Sequence, residues 1–289
     1  MFKKIAIFGV GLIGGSFALA LKKAGVVDEI VGVGRSASSL EKALQMGVID
    51  RIANDVADAV QDADLIMLAV PVAQTEATLS SIKPYLQAST IISDTGSTKA
   101  DVIAAARRAL GEQIAQFVPA HPIAGREVSG VAGALADLYV GKKVVITRLA
   151  ENADSAVELV ARVWQQTGAL LWQLTPEEHD AIFASVSHLP HLLAFALVDD
   201  ITRKPHAELL FQFAASGFRD FTRIAGSSPE MWRDIALGNR AALLVELESY
   251  MDALARLRLL IKNGDGAALE AIFANASQAR QTWQSSLEK

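Results

Sequence analysis

The sequence predicts an α/β fold, a doubly wound parallel sheet in the first half, followed by a second, all-helical domain. Three observations carry that expectation. Strand-like and helix-like patterns alternate along residues 1–175, as parallel strands joined by crossover helices require. The first strand–helix junction reads Gly9-Val10-Gly11-Leu12-Ile13-Gly14. From Pro176 onward the apolar residues recur at helical period and no stretch reads as a strand.

Taken in order, residues 3–8 form a short apolar run read as a buried strand, and 16–23 an Ala- and Leu-rich helix. Residues 29–33 read as strand and 39–46 as helix. Residues 64–70 are almost continuously apolar and stopped by Pro71, as for a central strand covered on both faces. Strand 90–94, helix 102–110 and strand 116–118 follow. Late strands at 142–147 and 170–174 flank a helix at 153–166. Pro176-Glu177-Glu178 is a good helix opening, with proline and acids in the first turn. Residues 241–261 make a long helix that is apolar on more than one face, so it is expected to pack against a second copy or to be buried within the chain. The expected domains are 1–175, dinucleotide-binding, and 176–289, all-α.

The glycine pattern lies in the context a dinucleotide site needs. The first glycine permits a tight turn, the second lets a pyrophosphate approach the backbone, and the third lets helix pack on strand. That makes the first domain Rossmann-like. The candidate cofactor residues are Gly9, Gly11, Leu12, Ile13 and Gly14 at the turn, Val70, Pro71 and Thr95 at later strand ends, and Arg35 and Ser36. The last two stand where an NAD enzyme usually places an acid for the ribose hydroxyls. Gly34-Arg35-Ser36 carries no carboxylate to repel a 2′-phosphate, which favours NADP over NAD, with dual use open.

Composition narrows the function classes. Half of the 289 residues are hydrophobic and there is no cysteine, which excludes disulfides, thiolate catalysis and thiolate metal sites and suits a reducing cytoplasm. A formal charge of -5 argues against a nucleic-acid partner. No apolar run has the unbroken character of a membrane span. The N-terminal lysines and apolar run resemble a signal peptide, but four glycines at fingerprint spacing and Lys22-Lys23 argue against export.

Ligands in such sheets bind beyond the carboxyl ends of the strands. Asp94-Thr95-Gly96-Ser97-Thr98-Lys99 and Pro119-Ala120-His121-Pro122 fall there. His121, bracketed by prolines, is a candidate base for a substrate alcohol, with Ser97 as its hydrogen-bonding companion. Equally, the histidine is structural and Ser97 only a helix cap. Ser187-His188-Leu189-Pro190-His191 places two histidines on one side of a helix turn, without a third ligand at metal spacing. Gly217-Phe218-Arg219-Asp220-Phe221-Thr222-Arg223 and Met231-Trp232-Arg233-Asp234 are rich in arginine, suited to a carboxylate anchor or to surface ion pairs.

Together these motifs resemble the prephenate/arogenate dehydrogenase family of tyrosine biosynthesis, in the family's order and over nearly the whole chain. The resemblance implies a dinucleotide-binding domain followed by a helical dimerisation domain, hence a homodimer through the C-terminal helices. It implies oxidative decarboxylation of prephenate or arogenate: His121 takes the hydroxyl proton, Ser97 assists, and hydride leaves for NADP or NAD. By the same resemblance Arg223 grips the ring carboxylate and His191 contacts the side chain, while His188, Ser187, Asp220 and Trp232 line the pocket. Arg126 departs from the family's smaller residue. Beside Glu127, a further substrate-side candidate, it alters selectivity or forms an ion pair. Fused mutase or regulatory domains have no room here, so any tyrosine inhibition is expected at the active site. The competing classes are a β-hydroxyacid dehydrogenase, which would need a catalytic lysine in a second domain holding only Lys204, Lys262 and Lys289, and a non-enzymatic NADP-binding dimer.

Overall fold

Strands β1 (Phe2–Phe8), β2 (Val27–Val33), β3 (Arg51–Ile52), β4 (Leu65–Leu68), β5 (Ile91–Asp94) and β6 (Phe117–Val118) form one sheet in the order β3-β2-β1-β4-β5-β6. Every pairing is parallel, the order of a dinucleotide-binding sheet. The computed structural model describes residues 1–126, 128 and 130–287.

Strand periodicity sorts the core into two layers. Ile5, Ile7, Leu65 and Met67 face one side, toward helices α1 (Leu12–Ala24), α2 (Ala37–Gln45) and α6 (Asp154–Gln166). Ala6, Phe8, Ile66 and Leu68 face the other, toward α3 (Val56–Val60), α4 (Thr75–Ile82) and α5 (Ala100–Leu110). Alternate residues thus serve opposite layers, which is why residues 65–70 are apolar throughout. Trp164 of α6 anchors the first layer, 4.9 Å from the Phe17 ring and 5.2 Å from Tyr139.

The sheet, β1, β2, β4 to β6, and most helices lie within a few residues of their expected places. The additions are short. β3 has two residues and α3 five, too few to show a period. α4 buries only Thr75, Leu79 and Ile82 among polar neighbours. A second, three-stranded sheet contains β7 (Ala120–Pro122), β8 (Lys143–Ile146) and β9 (Leu170–Gln173), with β7 antiparallel to β8. Pro122 is tolerated because β7 is an edge strand.

Beyond Thr175 the described chain is helical. Thr175 and Glu178 cap α7 (Pro176–Phe183) reciprocally, Oγ1 accepting from the Glu178 N–H and Oε2 from the Thr175 N–H. A π-helical turn, Ala184–His188, joins α7 to α8 (Leu189–Thr202). Pro190 removes an N–H and crowds the preceding turn, a physical reason for the widening. Within the continuous helical stretch Pro176–Thr202 an 18-residue window has a mean hydropathy of 1.7, apolar enough by length and composition to cross a bilayer. The expectation is of no unbroken apolar run, and His188, Pro190 and His191 do interrupt the apolar residues here; what is continuous is the helix, carried through the π turn. His179, Asp180 and His188 on this stretch are buried with polar partners of the same chain.

Helices α9 (Ala207–Gln212), α10 (Ser216–Thr222) and α11 (Pro229–Gly238) complete a first compact unit, residues 1–240. The second unit, residues 241–289, is built from α12 (Arg240–Asn263) and α13 (Gly266–Leu287). Val245, Met251, Leu259 and Ile261 of α12 and Phe273 and Trp283 of α13 stand exposed. The four α12 residues belong to the stretch 241–261, whose apolar residues fall on more than one face.

Candidate functional site

The glycine turn after β1 separates what packing demands from what it does not. Gly9 lies at φ +96°, and a Cβ there would collide with the Ala69 carbonyl oxygen; at Gly14 it would collide with the Gly9 oxygen. Those two glycines are required by the fold. Gly11 has an extended backbone at φ -102° that any residue can adopt, and a Cβ there would meet nothing within 4 Å. The space beside Gly11 is therefore left for a ligand. α1 begins at this point with no acid in its first turn, so its free N–H groups present an uncompensated positive end.

A cleft of about 490 Å³ opens there, lined by Gly9, Val10, Gly11, Gly34, Arg35 and Ser36. An adjoining one of about 320 Å³ reaches Val70, Pro71, Gln74 and Thr78, and Arg35 borders both. Ser36 caps α2, accepting from the Ser39 N–H at 3.3 Å. Thr95 donates through both its N–H and Oγ1 to the Leu68 carbonyl. Leu12 and Ile13 pack on the core, and the Ile13 carbonyl accepts from the Tyr139 hydroxyl at 2.7 Å. The donor set, the free helix end and the open face of Gly11 fit a dinucleotide phosphate backbone.

Two strands along the same sheet edge, a buried ion pair shapes the next loop. Lys99 Nζ donates to Asp94 Oδ2 at 2.5 Å and to the Ala120 carbonyl at 2.8 Å. Asp94 in turn accepts from the Gly96 and Ala120 N–H groups. Both side chains are fully or almost fully buried. The pair ties the Ser97 loop to the strand that carries His121.

His121 itself sits on β7, opposite Val145. Its Nδ1 lies 2.8 Å from His179 Nε2, and His179 Nδ1 lies 2.8 Å from Asp180 Oδ1. Phe183 packs edge-on against His121 at 5.0 Å and covers His179 at 4.5 Å. Burial, with His179, Lys99 and His188 adding positive potential, holds His121 well below the usual histidine range. It is a neutral imidazole.

His188, at the end of the π turn, is pushed by burial down to about 4. The Asn239 amide donates to the Asp180 carbonyl at 2.8 Å and faces His188 Nδ1 at 3.0 Å. An amide N–H₂ only donates, so His188 Nδ1 accepts and its other nitrogen holds the Ser97 backbone. His191 donates from Nδ1 to the Ser187 carbonyl at 2.9 Å and stacks on Trp232 at 3.6 Å. Burial lowers its affinity for a proton, and nearby Arg223 adds to this. The Trp232 Nε1 is buried without a hydrogen-bond partner among the described residues.

The geometry thus assembles Ser97, His121, His188, His191, Trp232 and Arg223. Ser187 takes part through its carbonyl. Asp220 stays exposed beside Arg219, 3.7 Å from its Nε, and no described contact brings it to the histidines. Glu127 lies outside the described residues. Arg126 donates to the Gly133 carbonyl at 3.1 Å. Sequence reasoning missed His179, Asp180 and Asn239. The signal available was the adjacent His-Asp pair just inside the proline-opened helix, where capping explains Glu178 but not two further polar residues on a buried face.

Two family descriptions match the chain: "Prephenate dehydrogenase, nucleotide-binding domain" over residues 17–173 and "Prephenate dehydrogenase, dimerization domain" over 175–275. A cyclohexadienyl dehydrogenase of Zymomonas mobilis is 36% identical over 283 residues, 97% of this chain and 96% of that one. The crystal structure of prephenate dehydrogenase from A. aeolicus in complex with hydroxyphenyl propionate and NAD+ superposes with a TM-score of 0.91, at 36% identity, covering 97% of this chain and 98% of the other. Synechocystis arogenate dehydrogenase superposes at 0.81 with 30% identity over 97% and 99%.

Proposed function

This chain belongs to the prephenate dehydrogenase family, and from that premise we propose that it oxidatively decarboxylates prephenate or arogenate with NADP⁺ or NAD⁺. The products are 4-hydroxyphenylpyruvate or tyrosine, CO₂ and the reduced nucleotide. The working unit is a cytoplasmic homodimer joined through the helical half, with the functional boundary near residue 175.

The observation that carries the reading is His121. Its Nδ1 is committed to His179, so Nε2 is the nitrogen left for a substrate proton. Its burial keeps that nitrogen unprotonated near neutral pH. Gly9, Gly11, Gly14, Arg35, Ser36 and Thr95 would hold the nucleotide, which when bound accepts the hydride from the carbinol carbon. His121 takes the proton of the hydroxyl on that carbon, and Ser97 orients the same hydroxyl. Loss of the ring carboxylate as CO₂ returns the ring electrons to that oxygen. Charge balance then fixes the proton's fate: prephenate dianion plus NAD⁺ gives hydroxyphenylpyruvate anion, CO₂ and NADH, with no proton left over. His121 therefore hands its proton back to the phenolic oxygen and ends as it began.

Arg223 and the Trp232 N–H are the donors for substrate carboxylates, and His191, stacked on Trp232, borders the side chain. Arg35 and the hydroxyls of Ser36, Ser38 and Ser39 at the α2 N-terminus favour a 2′-phosphate, and therefore NADP. The test is a two-by-two assay of both substrates with both nucleotides, following reduced-nicotinamide absorbance and CO₂ together. The expected result is equal amounts of each product, with the greater rate in NADP. Reduction without CO₂ would instead fit a hydroxyacid dehydrogenase, and nucleotide binding without turnover a sensor.

A further inference from the structure

We propose that His179 and Asp180 are positioning residues that fix the tautomer of His121, holding its Nε2 as the lone-pair nitrogen. The proposal rests on the reading of His121 as the base, and extends it to two residues that touch no substrate.

The assignment follows from donors and acceptors alone. Asp180 lies at the N-terminus of α5, where Oδ1 accepts from the Lys99 N–H at 2.8 Å and Oδ2 from the Ala100 N–H at 2.9 Å. Both oxygens are thus occupied as acceptors, at the positive end of an eleven-residue helix. Burial alone would raise this carboxyl group's proton affinity, but the bonds from His179, Ala100 and Lys99 hold it below the ordinary range. An ionised carboxylate can only accept. His179 Nδ1, 2.8 Å from Oδ1, must therefore carry a proton. Burial keeps His179 neutral, so its Nε2 has a lone pair. That lone pair faces His121 Nδ1 at 2.8 Å, and His121 Nδ1 must then be the donor. One proton is left per ring, and His121 Nε2 has none.

The arrangement also prepares for the charged state. When Nε2 takes the substrate proton, the imidazolium keeps its Nδ1–H on His179, and the Asp180 charge lies two hydrogen bonds away. A carboxylate orienting a catalytic imidazole through its second nitrogen is a known physical device. Here a second imidazole is interposed, which spaces the negative charge from the reacting centre. Phe183 shields both rings from water. The other charged or titratable groups facing this chain are Lys99, Asp94, Asp101 and His188, and Lys99 is already paired with Asp94.

The tautomer is read directly by ¹⁵N NMR of histidine-labelled, ligand-free protein, independently of turnover. The expected spectrum has His121 with a protonated Nδ1 and an unprotonated Nε2. A protonated Nε2 in the native protein would overturn the proposal. Kinetics of two variants supply a second readout. In His179→Gln the amide oxygen accepts from His121 while the amide N–H₂ donates to Asp180, so kcat should stay within about tenfold of native. In His179→Leu both bonds vanish, and kcat should fall about 100-fold with the Kd for NADP⁺ unchanged and the acid limb of the pH profile displaced. Equal kcat in the Gln and Leu variants would also overturn it, whether both are native-like or both inactive. These outcomes are distinct from failure of the base assignment itself, which His121→Asn reports.

Discussion

The cleft beside the glycine turn and the histidine cluster on β7, α7 and the π turn are built on opposite principles. The cleft is made of backbone: two glycines that packing requires, one that it does not, and a helix end with free N–H groups. The cluster is made of side chains: buried imidazoles and carboxylates whose protons are assigned by neighbours. A backbone site binds phosphate by shape and dipole and tolerates surface change around it. A side-chain site does proton chemistry and depends on each partner. Substitutions in the cleft should therefore move binding, and those in the cluster should move rate.

The strongest attempt to break that division is His121→Asn. It should lower kcat by about 10³-fold while the nucleotide Kd, measured calorimetrically, stays within about twofold. A large loss of nucleotide affinity would merge the two regions into one. In the cleft, Gly11→Val should raise the nucleotide Kd by about 100-fold or more, because the side chain fills space no protein atom uses. Its melting temperature should drop by no more than about 4 °C. Gly9→Ala should instead destabilise the fold, since the Cβ meets the Ala69 carbonyl. Equal effects on stability would show that Gly11 is structural too.

A pH experiment sharpens the contrast at intermediate size. His188 is shifted from 6.5 to about 4, so the folded state resists its protonation. Its stabilising contribution is complete above pH 6.5 and is lost as pH falls from there toward about 4. The full loss is on the order of 3 kcal/mol. The urea midpoint should fall over that interval, and less steeply in His188→Gln; parallel curves would assign the titration elsewhere. Smallest of all, Arg35→Ala should reduce the NADP-to-NAD preference about tenfold without altering kcat. An unchanged ratio would show that other groups hold the phosphate.

The two regions also differ in how far they could be read from the chain. The cleft was legible because glycine spacing, strand and helix are local in sequence, as Gly9, Gly11 and Gly14 show. His121 and Ser97 were legible as candidates because both follow strands at the carboxyl edge. His179, Asp180 and Asn239 were not, because their roles arise from contacts 58, 81 and 51 residues away, with His121, Lys99 and His188. The π turn was equally hidden: Pro190 signals a break in a helix, and the chain widened by one turn instead. Short elements such as β3 and β7 carry no period at all.

The most direct test is a crystal structure with NADP⁺ or NAD⁺ and a phenolic product analogue bound. The account predicts His121 Nε2 within about 2.6–3.2 Å of the phenolic oxygen, with Nδ1 still on His179 and the nucleotide phosphates beside Gly11. An imidazole turned away from that oxygen, or a phenol seated far from β7, would contradict it.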